Sequence, residues 1–139
     1  MPWTELAHAS QAYVHVHVDR SRSLVRLTRS TILIPKDSTR SLLEQFSSEL
    51  GHLLPHSGRS TQRLLFDTRE APKLADAAIE AALLSVLHDL LYDFQRLAIL
   101  IKTPIGALQM RRILREANLN AELFYDEAEA IVYLAKSEH

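Results

Sequence analysis

A mixed α/β layer fold, with an N-terminal β-hairpin and about four helices packed on one sheet, is what this 139-residue sequence predicts. Three observations predict it. Apolar and polar residues alternate over two adjacent runs, 12–19 and 23–29, which is the two-residue period of a strand. From residue 63 onward, short apolar runs alternate with segments of helical period, the pattern of parallel strands joined by right-handed crossovers. The chain is also long enough to bury a core without staples, and with no cysteine it has no disulfides to rely on.

Each element can be justified in order. In "YVHVHVDR", Val14, Val16 and Val18 face one way, and Tyr13, His15, His17 and Asp19 the other. After "RSR", Val25 and Leu27 oppose Leu24, Arg26 and Thr28, so the two runs read as a hairpin. "TILI" (31–34) either extends the second strand or forms a short piece of its own before Pro35. Asp37 or Ser38 is the expected N-cap of a helix carrying Leu42, Leu43, Phe46, Leu50, Leu53 and Leu54 at helical spacing. "GHLLPHSGRS" ends that helix and reads as a loop, and "RLLFD" (63–67) reads as a buried strand.

The segment 73–93 is the strongest helix. Ala78, Ile79, Ala82, Leu83, Val86, Leu87, Leu90 and Leu91 form its main stripe, and Ala77, Ala81 and Leu84 widen it. That second row either covers more of the sheet or meets another chain. "RLAILIK" (96–102) is a nearly continuous apolar strand, as expected where both faces are covered. Thr103 and Pro104 supply the N-cap and first position of the next helix. Leu108, Ile113 and Leu114 give that helix a core side, and Arg111, Arg112 and Arg115 a basic outer side. "AELFY" (121–125) is a last strand, and Asp126, with Glu129 three residues on, opens a final helix through Ala135. Residues 12–136 thus form a single domain, with 1–11 an N-terminal extension and 137–139 a C-terminal tail.

Composition excludes several classes. Hydrophobic residues make up 47% and charged residues 24%, ordinary for a globular protein. No apolar run reaches the roughly 18 residues of a membrane span, and "MPWTELAHAS" lacks the layout of a secretory signal. The absence of cysteine is compatible with a cytoplasmic location. Residues 1–63 carry eight Lys/Arg against five acids, a mild excess inside a net charge of −1. A nucleic-acid site needs a denser patch or a motif, so no nucleic-acid partner is expected.

The stretch "LLFDTREAP", followed by a long helix and "RLAILIKTPIGALQMRRILREANLNAELFYDEAEAIVYL", resembles the STAS-like superfamily, especially its SpoIIAA-like branch. The likeness runs through topology over 13–136 and through sequence texture over 63–134. It implies a STAS-like mixed sheet and a non-catalytic, regulatory domain that works through protein–protein contacts. STAS anti-sigma-factor antagonists carry a phosphorylatable Asp-Ser-Ser/Thr-Gly sequence at a helix start. The matching place here is "ADAA" (75–78), which holds no hydroxyl, and Thr68 sits too early to replace it. No phospho-switch is therefore expected from this motif.

Two places remain as candidate sites. His15 and His17 lie on one strand face about 6–7 Å apart, with Asp19 as a conceivable third metal ligand. Arg26 is expected on the same face, where it repels a dication and pairs with Asp19. Zinc wants three or four protein ligands, and the other histidines lie outside any ligand spacing, so no metal is assigned. His15, His17 and Arg26 are read instead as a strand face that is exposed or touches a partner. The second place is the carboxyl edge of the parallel strands. Asp67, Thr68, Arg69, Lys102, Thr103 and Tyr125 gather there as candidates for a small anionic ligand or a partner.

Three glycines cannot build a phosphate cradle, and no nucleophile elbow or metalloprotease helix is present. An enzyme is not expected, nor is a cofactor. Gly106 is expected to allow close packing of helix on sheet. The first functional expectation is a protein-interaction domain, with itself (a homodimer) or another protein as partner. The alternative is a carrier or sensor of a small anion or lipid, recognised by an apolar pocket beside Arg69, Thr103 and Tyr125.

Overall fold

The computed structural model describes residues 3–32, 35, 38–72 and 77–136. The hairpin forms as its alternation dictates. β2 (Val14–Asp19) and β3 (Leu24–Arg29) pair antiparallel, with Val16 opposite Leu27 and His17 opposite Arg26. The turn between them places Ser23 at a φ of 54°, in the left-handed region. A strand that the sequence does not announce, β1 (Thr4–Leu6), adds antiparallel to β2 from within the expected N-terminal extension. Three residues are too few to show a period.

The remaining strands are β4 (Arg63–Asp67), β5 (Arg96–Leu100) and β6 (Glu122–Phe124). They add in parallel to β3, giving a six-stranded sheet in the sequential order β1-β2-β3-β4-β5-β6. The crossovers run through α1 (Thr39–Leu53), α2 (Ala77–Leu91) and α3 (Pro104–Glu116). Right-handed crossovers between strands that always step the same way must all lie on one face. Accordingly Phe46, Leu50, Val86, Leu87, Leu90, Ala107, Ile113 and Leu114 share one core with Val16, Val25, Leu27, Leu64, Leu97 and Ile99. The last helix, α4 (Glu127–Ala135), joins no further strand and takes the opposite face. There Ala130 and Leu134 cover Leu24, Leu65, Ala98 and Leu100, flanked by Trp3 and Tyr133.

The caps divide. Thr103 Oγ1 accepts from Gly106 N at 3.0 Å, with Pro104 at the first helical position, as expected. Asp126 Oδ1 accepts from Ala128 N at 3.2 Å. Ser38 occupies the N-cap of α1 but makes no side-chain cap bond, and the alternative Asp37 lies outside the described residues, as do Leu33 and Ile34 of "TILI" and residues 73–76 of the long helix.

Three local expectations are corrected. "HSGRST" is a 3-10 helix rather than open loop, because it carries the fully buried Arg59 to the ends of α1 and α2. Leu108 is 67% exposed: the inner line of α3 runs through Ala107, Met110, Leu114 and Ala117, and position 108 is turned about 100° from 107. The nearest crowding that a Cβ at Gly106 would meet is Thr103 Oγ1 at 3.1 Å, so this glycine makes room for the cap hydroxyl rather than for the sheet. Of the second row of α2, Leu84 packs on the common core beside Leu83 of the main stripe, whereas Ala81 is exposed.

Candidate functional site

Between the sheet and α1, α2 and α3 lies a cavity of about 980 Å³. Its floor is the inward row of the strands, Val14, Leu27, Phe66 and Ile101, and its walls are Phe46 of α1, Leu87 and Leu90 of α2, and Met110 of α3. It sits at the carboxyl ends of β3, β4 and β5. Because the strand order never reverses, no topological switch point makes this opening. Helices that stand off the ends of β3, β4 and β5 make it instead.

Of the residues expected at this edge, Thr68, Arg69, Lys102 and Thr103 line the cavity together. Asp67 and Tyr125 do not. Side chains alternate along β4, so Leu64 and Phe66 turn toward the cavity side while Leu65 and Asp67 turn to the α4 face. Tyr125, one residue past β6, is 54% exposed and lines no part of the cavity, so the expected pocket beside Arg69, Thr103 and Tyr125 is corrected to one lined by Arg69 and Thr103 without Tyr125. Thr68 Oγ1 is occupied with Leu100 O at 2.7 Å, and Thr103 Oγ1 with its cap bond.

Among the described residues, charge in the cavity has one sign. Among the described residues that line it, the charged ones are Arg29, Arg69, Lys102 and Arg112, and none is an acid or a histidine. Arg69 is neutralised by Asp67 and Glu127, and Arg112 by Glu80. Arg29 and Lys102 have no carboxylate partner among the described residues. Sequence reasoning passed over Arg29, although a signal was present. It continues the inward parity of Val25 and Leu27, where an arginine has to face the core side of the sheet.

The opposite face holds the other expected residues. Arg26 does not pair with Asp19 as the strand alternation suggested, because Asp19 is taken by Ser21 at 2.7 Å and by Arg22. Parallel pairing with β4 instead brings Arg26 to Asp67 at 2.8 Å and to Glu127 of α4 at 2.7 Å. Arg69 closes the group at 2.9 Å from Asp67 and 3.2 Å from Glu127. Burial pushes the Asp67 carboxyl up, but the hydrogen bonds and charges of Arg69 and Arg26 outweigh it and hold it below its usual range. Glu127 is likewise held low, first by its hydrogen bond from Arg26. Two arginines and two carboxylates satisfy one another, so this cluster clamps α4 to the sheet and leaves no reactive group.

His15 and His17 share a face with ring centroids 6.4 Å apart, close to the expected spacing. His15 Nδ1 lies 3.2 Å from Glu5 Oε1 of β1. His17 Nδ1 is buried without a hydrogen-bond partner among the described residues, and burial lowers its pKa below the ordinary imidazole value. Among the described residues, no three His, Asp or Glu side chains converge as metal ligands. The row Glu5–His17–Arg26 across three strands is a charged, half-buried surface at the hairpin end of the sheet.

The sheet edges bear on strand addition: β1 and β6 are three residues each, a small template for a partner strand. No described helix is long and apolar enough to cross a membrane. No protein-family model, no curated protein and no solved structure matches this chain.

Proposed function

We propose that this chain is a STAS-like domain that binds an amphipathic small molecule in the cavity between its sheet and its three crossover helices, and that it carries out no catalysis of its own. The observation that supports this reading is the cavity itself. At about 980 Å³, with Leu27, Phe46, Phe66, Leu87 and Leu90 in its lining, it lies at the upper end of the roughly 300–1,000 Å³ of small-molecule sites. Among its described lining residues the charged groups are all cations, and the Thr68 and Thr103 hydroxyls are committed, so these residues offer no imidazole or carboxylate to move a proton.

The test is a titration with Nile red, an uncharged apolar dye that brightens when it leaves water. Saturable one-to-one binding is expected, weakened at least tenfold in Leu83→Trp, which places an indole at the cavity wall. Circular dichroism and melting temperature should be close to those of the parent. Absence of saturable binding sinks the reading and returns weight to the protein-interaction expectation, for which light scattering reads self-association directly.

A further inference from the structure

Resting on that small-molecule reading, we infer that the occupant carries an oxyanion head group, a carboxylate or a phosphate monoester, and that Arg29 binds this head. Arg29 closes β3 on the cavity side of the sheet, in line with Val25 and Leu27, and lines the cavity together with Phe46, Leu87 and Lys102. Its Nη1 donates to Tyr13 O at 2.5 Å, and its Nη2 lies 3.5 Å from Ile32 O. The first bond anchors the group and the second is at the limit of a hydrogen bond. A guanidinium has five N–H donors, so most of its fork remains for a ligand.

The other arginines of the molecule show how this chain treats a guanidinium drawn away from water. Arg26 and Arg69 each face a carboxylate, while half-buried Arg63 meets Gln95 Oε1 and half-buried Arg96 meets the Tyr133 carbonyl and ring. Arg59 is enclosed by the carbonyls of Leu54, Asp89, Leu90 and Tyr92 and lies over the Phe94 ring. Arg29 faces no carboxylate among the described residues, and it meets two carbonyls, one of them at the limit of a bond, where Arg59 meets four. Burial lowers the pKa of Arg29, and no acid among the described residues acts against it. A partly buried cation without a counterion is unfavourable, and an oxyanion in the cavity removes that cost by a forked, charge-assisted bond. Exposed Lys102 at the same cavity adds a second positive charge to draw an anion in. The apolar lining takes the remainder of the molecule, and Ile105 and Leu108, 79% and 67% exposed at the rim, extend the apolar path to solvent.

The experiment compares matched head groups on one chain, using fluorescent cis-parinaric acid and its methyl ester. The acid is expected to bind the parent protein about 10- to 100-fold more tightly than the ester, the range of a charge-assisted bond. In Arg29→Gln the acid should fall to the affinity of the ester, while ester binding stays unchanged. Arg29→Lys, which keeps the charge and loses the fork, should retain part of the preference. Competition with dodecanoate, dodecyl phosphate and dodecanol then separates the sources. Displacement by either anion ahead of the alcohol supports the inference and identifies the head. Equal binding of acid and ester to the parent protein overturns it without any variant, as does a preference that survives Arg29→Gln. Those failures leave Nile red binding intact, whereas failure of the small-molecule reading abolishes binding of every probe.

Discussion

Arg59 is 1% exposed, and its guanidinium joins two helix ends. It donates to Leu54 O just past α1 and to Asp89 O and Leu90 O in the last turn of α2, where free carbonyls gather negative partial charge. Arg59→Met keeps the stem and removes the donors, leaving buried carbonyls unsatisfied. The expected loss is about 2–4 kcal/mol, read as a lower urea midpoint at unchanged slope. A loss under about 0.5 kcal/mol would mean that water replaces the guanidinium. Nothing local in "GHLLPHSGRS" marks this arginine, because its α2 partners begin 30 residues downstream.

Asp67 is a second case, with a consequence for pH. Its carboxyl is held below the ordinary value of 3.8 and that of Glu127 below 4.5. A depressed folded-state pKa means that the cluster contributes its full stability above the unfolded values and loses it as pH falls through the folded ones. Melting temperature should therefore drop on acidification below about pH 4.5. In Asp67→Asn the protein should be less stable at pH 7 by about 1–3 kcal/mol, below the value for a fully enclosed pair because Arg69 and Glu127 are partly exposed. That variant should also show a shallower acid loss. An unchanged acid profile would show that the cluster does not clamp α4. Arg69 as the partner of Asp67 was legible from their adjacency, whereas Arg26 and Glu127 required the parallel register and the placement of α4.

Among the elements, α3 depends on its cap. Thr103→Ala removes the acceptor for Gly106 N and should cost about 1 kcal/mol, with hydrogen exchange quickening in the first turn of the helix. Equal exchange rates in the two proteins would assign the start of α3 to Pro104 alone. This helix start was readable as Thr-Pro because capping is a contact between neighbours in the chain. The long periodic segments α1 and α2 and the apolar runs β4 and β5 were readable for the same reason. β1 was not, since "TEL" acquires its identity from pairing with β2. Leu108 illustrates a different limit: the apolar stripe of α3 is wider than its buried line, and only the neighbouring elements select which part is covered.

For the molecule as a whole, the sequence by itself determined the order of strands and helices from β2 to α4, the hairpin with the inward parity of its two strands, and the mixed α/β class. Those properties follow from periods of two and 3.6 residues and from caps, all of which act over a few positions along the chain. The tertiary structure alone decided that the strands run in sequential order with three helices on one face, that α4 closes the other, and that Asp67 and Tyr125 part company with Thr68, Arg69, Lys102 and Thr103. It alone decided that Arg29 lines an apolar cavity without a carboxylate among the described residues. Such facts depend on how layers stand apart and which side chains meet across them. The physical reason is that packing distance and charge pairing join residues far apart in the chain, where no local period carries the information.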